Sequence, residues 1–250
     1  MPTMRKSDFF LSDFHLGAGY LESPRAVEKR VVAFLDSIKD RARTVYLLGD
    51  ILDYWYEYRY VVPRGFVRFF GKIAELTDMG VRVVWFIGNH DIWIFDYLPA
   101  ELGVEIIDGS RVETIDGRKF YLAHGDGVGK RPAEFRFIRS LFRNPLCQKL
   151  YSGIHPRWTI PFALSWSRHS RMKESAPGLN PADAPIMEFA REYAAKHPDI
   201  DWFIFGHLHV EAMIDITPRC KLVLLGEWIE KCTYAEWNGS QLTLKRFSET

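Results

Sequence analysis

Cysteine is scarce in this sequence: Cys147, Cys220 and Cys232 stand alone among 250 residues, an odd number with no C-x-x-C pair. Such usage speaks against a disulfide framework and suits a reducing compartment, with the thiols buried or inert. No apolar run approaches the roughly 20 residues that a membrane-spanning helix needs. The segment MPTMRKSDFF also lacks the apolar stretch and cleavage site of a secretory signal, so a cytoplasmic protein with only peripheral membrane contact is expected. Net charge is nearly absent too, at +1, so the average points to no polyanionic partner and only its distribution can. Neither a repeat of fixed period nor a low-complexity tract is present. What the chain does have is hydrophobic mass. With 47% hydrophobic and 15% aromatic residues it is ample for one large-cored domain over residues 1–250.

Five short apolar runs read as buried strands, and each ends in residues able to bind metal: FFLSDFH, VYLLGD, VVWFIGNH, FYLAHG and WFIFGHLH. They deliver Asp13 and His15, then Asp50, Asn89, His124, and finally His207 with His209. Open α/β sheets bind ligands at the carboxyl ends of their strands, where loops from distant segments converge, so these residues are expected to share one crevice. Imidazole nitrogen with carboxylate and amide oxygen suits divalent first-row ions, and a carboxylate has two oxygens with which to bridge a pair. Two such ions, about 3.5–4 Å apart, can clamp the attacking and leaving oxygens of an in-line displacement at phosphorus. The spacing of His207 and His209 would put both on one face of a strand, where each could serve one ion.

In order, Asp13-Phe14-His15, Gly49-Asp50 with Asp53, Gly88-Asn89-His90-Asp91, His124 and Gly206-His207-Leu208-His209 fill the series D-x-H, GD-x-x-D, GNH-D, H and GH-x-H. This series resembles that of the calcineurin-like metallophosphoesterases. The resemblance implies a four-layer αββα sandwich, two divalent cations and phosphoester hydrolysis. It also implies that Asp50 is the carboxylate shared by both ions. His90 resembles the family's histidine that faces the phosphate, a candidate general acid or stabiliser of transition-state charge. Asp91 is expected to orient His90 and hold its proton, as carboxylates commonly do for imidazole. Asp53 is expected to support the site from behind the ligands. Manganese is the expected metal, because mixed nitrogen and oxygen ligands discriminate weakly among first-row ions and availability decides.

The remaining pattern alternates strands with helices. Ser23 and Pro24 open a helix whose Val27, Val31, Phe34, Leu35 and Ile38 recur on one face. Residues 66–79 read as a second helix stopped by Gly80, and 184–196 as another. Further strands are expected at 45–48, 81–87, 104–107, 119–123 and 202–205, then at 212–217, 222–225, 232–237 and 241–247. Asp116-Gly117 and Asn238-Gly239 supply turn signals. These elements predict an α/β fold of two packed mixed sheets flanked by helices. The stretch Tyr54-Trp55-Tyr56-Glu57-Tyr58-Arg59-Tyr60 follows directly on a candidate ligand. It is either ordinary loop packing or, with Trp55 foremost, one wall of a substrate cleft.

From Lys130 to Ser175 the alternation stops, giving a helical insertion at about 130–175. Ten Lys and Arg stand against two Glu here, a balance of +8, which leaves −7 for the rest of the chain. Phe135, Ile138 and Phe142 share one helical face, while Arg136, Arg139 and Arg143 share another. A second helix is expected from about Thr159 and Pro161, carrying Phe162, Leu164 and Trp166 before the polar run Ser167-Arg168-His169-Ser170-Arg171. Three readings of the insertion stand: a solvated cap, a nucleic-acid surface, and a receptor for an anionic lipid. The lipid reading explains most, because apolar side chains would meet acyl chains and basic ones phosphate, beside a phosphoester-cleaving centre. No nucleic-acid partner is expected.

An HGD segment at His124, followed by a basic helical insertion ending near a serine flanked by basic residues, resembles the UDP-2,3-diacylglucosamine hydrolases of lipid A synthesis. That family's best-known branch carries arginine at the position of His90, and the Arg spacing before Ser170 also differs. The resemblance implies cleavage of a nucleotide-linked lipid to UMP and 2,3-diacylglucosamine 1-phosphate at the inner face of the membrane. Lys130, Arg168, Ser170 and Arg171 are the candidate binders of phosphate and sugar oxygens, guanidinium being suited to bidentate contacts. The alternatives are a phosphodiesterase or pyrophosphatase acting on soluble nucleotides, a nuclease, or a scaffold that has kept the fold without the chemistry.

Overall fold

The computed structural model describes residues 6–21, 23–174 and 185–248, without the side chains of 168–174. β1 (Ser7–Leu11) leads to α1 (Pro24–Ile38), β2 (Ala42–Leu48), α2 (Val67–Asp78), β3 (Arg82–Phe86), α3 (Tyr97–Leu102) and β4 (Glu105–Ile107). A hairpin of β5 (Ser110–Ile115) and β6 (Arg118–Ala123) follows, then α4 (Ala133–Arg143), α5 (Pro145–Ser152), α6 (Pro156–Glu174) and α7 (Pro185–Lys196). The chain ends with β7 (Trp202–Phe205), β8 (Glu211–Asp215), β9 (Lys221–Leu225), β10 (Thr233–Trp237) and β11 (Leu242–Arg246).

The strands form a six-stranded sheet, β11-β10-β1-β2-β3-β4, and a five-stranded sheet, β5-β6-β7-β9-β8. Both are mixed. β1 to β4 run parallel while β10 and β11 pair antiparallel. In the second sheet β6, β7 and β9 run parallel between the antiparallel edges β5 and β8. Because a strand points successive side chains to opposite faces, each sheet feeds two cores. Phe10, Tyr46, Leu48 and Phe86 of one sheet meet Phe120, Leu122, Ile204 and Val223 of the other. Phe9, Val45, Leu47 and Trp85 face the opposite way, against Val31, Phe34 and Leu35 of α1 and Phe69 and Ile73 of α2. On the far side Ile186, Met187 and Ala190 of α7 cover Tyr121, Phe203 and Leu222. The result is the expected four-layer αββα sandwich.

Local departures have local reasons. Ser23 occupies the N-cap of α1 but its side chain makes no capping hydrogen bond, so Pro24 and the buried face carry that helix start. The sequence pattern missed β5, an edge strand whose residues are mostly exposed or half-buried. Asp116 and Gly117, with φ of +49° and +77°, close a tight hairpin between β5 and β6 rather than separating two lone strands. α6 begins at Pro156, so Pro161 falls inside it, against the expected start. Ile160, Ala163 and Leu164 pack on Tyr54, Tyr56 and Trp93, and this burial offsets the backbone hydrogen bond that proline removes. α5 went unread, though Asn144 caps it by accepting from the Leu146 and Cys147 amides.

Candidate metal centre

The parallel strands of both sheets end at one edge, and there the loops interlock. The Asp13 amide donates to the Gly49 carbonyl at 3.1 Å, His15 to Asp50 at 3.0 Å, and Gly206 to His124 at 2.9 Å. The glycine in two of the motifs has a steric cause. A Cβ on Gly206 would lie 2.5 Å from Asp13 Oδ2, and one on Gly88 would lie 2.2 Å from Asp50 Oδ1. Backbone must pass this close to each carboxylate, and only glycine lets it.

Five residues at this edge adopt left-handed backbone: Asp13 (φ +56°), His15 (+46°), Asp50 (+52°), His207 (+68°) and His209 (+53°). For non-glycine residues this costs on the order of 1 kcal/mol or more each, and it clusters where a side chain must be aimed for function. It also corrects the expectation for His207 and His209, which lie beyond β7 on turning backbone rather than on one strand face.

The donor atoms of the candidate ligands gather in two groups, and a third, of His15, Asp53 and His90, adjoins the first. Oxygen and nitrogen atoms of Asp13, His15 and His209 lie within 4.8 Å of one another, as do those of Asp50, His124 and His207. Asp50 Oδ2 stands between the groups, 3.8 Å from His15 Nε2 and 3.2 Å from His124 Nε2. Asn89 Oδ1 lies 3.1 Å from His124 Nε2 and so belongs to the second group. Hydrogen bonds fix the imidazoles. His124 Nδ1 donates to the Leu48 carbonyl at 2.8 Å and His15 Nδ1 to Asp53 Oδ1 at 3.2 Å, which turns both Nε2 atoms inward. The sequence thus aimed the seven ligand candidates and Asp53 at one place, and the fold brings them together.

Charge in this buried space is finely set. Burial, opposed by His124 and reinforced by Asp50, raises Asp13 to about 7. For Asp50, burial is outweighed by His124 and His90, and its carboxyl is held well below the usual range. Burial would lower His124, yet Asp50 lifts it well above an ordinary histidine. His207 is pushed down to about 3 by burial and by His124, leaving it neutral. Two carboxylates and four imidazoles packed this closely, with only His207 and His209 partly exposed, fit divalent cations: the donor set is mixed oxygen and nitrogen, and a cation would relieve the repulsion.

Other expectations need correction. Asp91 does not orient His90. Its carboxylate accepts from the Gly88 amide at 2.8 Å, the Ile51 amide at 3.0 Å and Trp85 Nε1 at 3.2 Å, tying two ligand-bearing loops to the core. His90 is held instead by the Asp53 carbonyl, which accepts from Nδ1 at 3.1 Å, and by Ser167 Oγ at 3.1 Å. That leaves His90 Nε2 turned toward the centre, 3.9 Å from Asp50 Oδ2. Trp55 forms no cleft wall; it is fully buried among Phe66, Phe70 and Tyr97, and its neighbour Tyr54 lines the cavity in its place. Lys130 is exposed and paired with Glu188 at 2.7 Å, outside that cavity. Arg168, Ser170 and Arg171 fall on side chains outside the described ones. Sequence reading passed over Ser167, which shares a face of α6 with Ala163 and Trp166 toward the cavity. Its helical spacing from those residues was the signal.

That cavity, of about 560 Å³, opens from Asn89, His90 and Asp53 into the insertion. Apart from its polar mouth it is lined by Trp93, Ile138, Leu141, Phe142, Leu150 and Phe162, among others. One end is polar and beside the donor atoms, the other apolar and built by α4, α5 and α6.

The model of the calcineurin-like phosphoesterase family matches residues 9–211, the span that holds every candidate ligand. The chain belongs to that family. Its members' chemistry and the paired donor groups make it a metal-dependent phosphoester hydrolase. The phosphoesterase is 40% identical to the UDP-2,3-diacylglucosamine hydrolase of Porphyromonas gingivalis, over 98% of this chain and 99% of the relative. It is 26% identical to the UDP-2,3-diacylglucosamine hydrolase of Nitrosococcus oceani, over 88% of this chain and 86% of that one. A solved archaeal phosphodiesterase aligns with a TM-score of 0.48 at 14% identity, covering 96% of this chain and 99% of its own.

Proposed function

We propose that this phosphoesterase hydrolyses the diphosphate of UDP-2,3-diacylglucosamine, giving UMP and 2,3-diacylglucosamine 1-phosphate for lipid A synthesis. The observation that carries the reading is the cavity: an apolar chamber that would hold acyl chains begins at the residues flanking the candidate metal centre. The names of relatives matched along nearly the whole chain support the same substrate.

In this reading Asp13, His15 and His209 would hold one divalent ion and Asn89, His124 and His207 the other, with Asp50 placed to serve both. Mn²⁺ is the proposed metal, in keeping with the mixed donors. When bound, the ions supply Lewis-acid neutralisation of the charge that develops on the phosphoryl oxygens. The protein supplies the rest. His90, anchored through Nδ1, presents Nε2 to the reacting phosphate; as a water oxygen bonds to phosphorus and the bond to the departing phosphate oxygen breaks, Nε2–H gives that oxygen a proton and the proton lost by water replaces it. Asp53 and Ser167 keep that ring and His15 in place. Acyl chains filling the chamber exclude water and fix the lipid half of the substrate.

Phe137, Leu146, Leu150, Trp158 and Phe162 of the insertion are each 64–69% exposed, interspersed with Arg and Lys. An apolar surface with basic neighbours is the pattern that lies on an anionic bilayer. We place it against the inner face of the membrane in a cytoplasmic protein. Among the described residues no helix is long and apolar enough to cross a membrane. The deciding experiment compares acylated and unacylated UDP-glucosamine side by side, with UMP release as readout. Strong preference for the acylated compound is expected, and equal turnover of both would overturn the reading.

A further inference from the structure

We infer that a second, basic pocket on the other side of α4 receives the nucleoside monophosphate half of the substrate. This rests on the proposed function and says where the part of the molecule that is not lipid goes.

The pocket, of about 520 Å³, is lined by Gly127, Arg131, Phe135, Arg136, Arg139 and Arg143. That volume lies within the roughly 300–1,000 Å³ typical of ligand pockets. Its floor is the loop that directly follows the candidate ligand His124. Arg131 Nη2 donates to the Gly125 carbonyl at 2.9 Å, and Arg139 Nε to Asp126 Oδ2 at 2.9 Å. Gly127 lies so close under Arg139 that a Cβ there would meet its guanidinium at 2.8 Å. Gly125, whose carbonyl Arg131 holds, lies against His207, where an added Cβ would be 3.3 Å from the His207 Cβ, so the loop under the pocket runs beside the metal centre, whereas the apolar cavity is itself lined by His90 and Asn89. α4 separates them. Ile138, Leu141 and Phe142 face the cavity, and Arg136, Arg139 and Arg143 face the pocket. A substrate with a lipid at one end and a nucleotide at the other, joined by the phosphates that react, needs this arrangement about its scissile bond.

Charge fits the assignment. Four guanidinium groups line the pocket, and two of them carry described ion pairs, Arg139 with Asp126 and Arg143 with Asp108. A phosphate monoester carries about −1.5 to −2 at neutral pH. Arg136 forms no ion pair among the described residues. Arg143 is only 18% exposed, and its Nε and Nη2 are buried without a hydrogen-bond partner among the described residues. Buried donors left in that state cost stability, and an anion would satisfy them. Phe135, with the Arg131 guanidinium 5.6 Å from its ring centroid, adds an aromatic face for a base.

The test is calorimetric titration of the metal-loaded full-length protein with UMP, alongside steady-state kinetics. Arg136→Ala alters an exposed side chain and leaves the fold alone; Arg143→Met is its buried counterpart, with the melting temperature as a check. Each is expected to weaken UMP about ten-fold, the scale of one charge-assisted contact. KM for the acylated substrate should rise in parallel while affinity for the lipid 1-phosphate product stays as it was. The assignment is overturned if wild-type protein does not bind UMP, if both variants bind it unchanged, or if they lose lipid product equally. Failure of the wild type to prefer acylated substrate sinks the proposed function instead, and the UMP titration still judges the pocket by the same outcomes.

Discussion

Ser167 donates its hydroxyl to the Asp53 carboxylate, with Oγ 3.0 and 2.9 Å from the two oxygens, although 114 positions separate the residues in the chain. Both are buried. Asp53 sits just past a ligand candidate on the β2 loop, and Ser167 is on α6, so this contact fastens the insertion to the metal centre. With its proton committed to Asp53, the same oxygen can share the His90 Nδ1 proton with the Asp53 carbonyl, each acceptor at 3.1 Å. The helix that walls the lipid chamber thereby also sets the ring proposed to handle the proton.

Ser167→Ala should lower kcat about ten-fold or more, since a hydrogen bond to a charged group is worth roughly 1.5–3 kcal/mol. KM and metal content should stay near wild type, and Ser167→Thr should restore part of the rate. Unchanged kcat would show that α6 only covers the site.

His207 and His209 are neighbours in sequence but stand in different donor groups. His207→Ala and His209→Ala should therefore each retain one metal ion of two, measured by elemental analysis after dialysis. Loss of both ions from both variants would mean that the groups form one site. Activity should fall by more than about 100-fold in each, because both ions act on the same phosphate.

Glu57, in the aromatic stretch, has a structural task. One of its carboxylate oxygens accepts from the Phe95, Asp96 and Tyr97 amides at 2.6–3.1 Å, and the other from the Leu98 amide and Trp55 Nε1. It caps the start of α3 from outside the helix. Glu57→Ala strands these donors, so a loss of about 2–4 kcal/mol is expected in denaturant unfolding, from the cost of unsatisfied buried groups. Metal content should not change.

The centre was legible because each candidate ligand follows an apolar run that could only be a buried strand, and parallel strands end at one edge. Asp13, Asp50 and His124 needed no more than that. Contacts formed between segments were less legible. Asp91 stands next to His90 in sequence, yet its oxygens turn to Gly88, Ile51 and Trp85. Trp55 looked available beside a ligand but the helices α2 and α3 enclose it, with Phe70 and Tyr97 on either side. In the insertion, composition identified a basic and apolar surface, while the face of α6 that meets the centre depended on where the helix begins, and Pro161 hid that start.

Metal binding should strengthen as pH rises toward and through 7. In the metal-free protein burial, opposed by His124 and reinforced by Asp50, puts Asp13 at about 7, and Asp50 holds His124 well above the ordinary histidine range against its burial. Both groups must give up their protons to ligate a cation. His207, at about 3, and Asp50, well below the usual carboxylate range, are already deprotonated and contribute no such dependence. The sign follows from linkage: the metal-free state binds more protons than the metal-bound state, so raising the pH favours the bound state. Calorimetry with Mn²⁺ between pH 5.5 and 8, in two buffers of different ionisation enthalpy, counts the protons released. Release should be largest at the acid end and decline as Asp13 ionises, and Asp13→Asn should remove that part of the signal while weakening the metal. A Mn²⁺ affinity independent of pH across this range would show that the two buried groups do not titrate on binding.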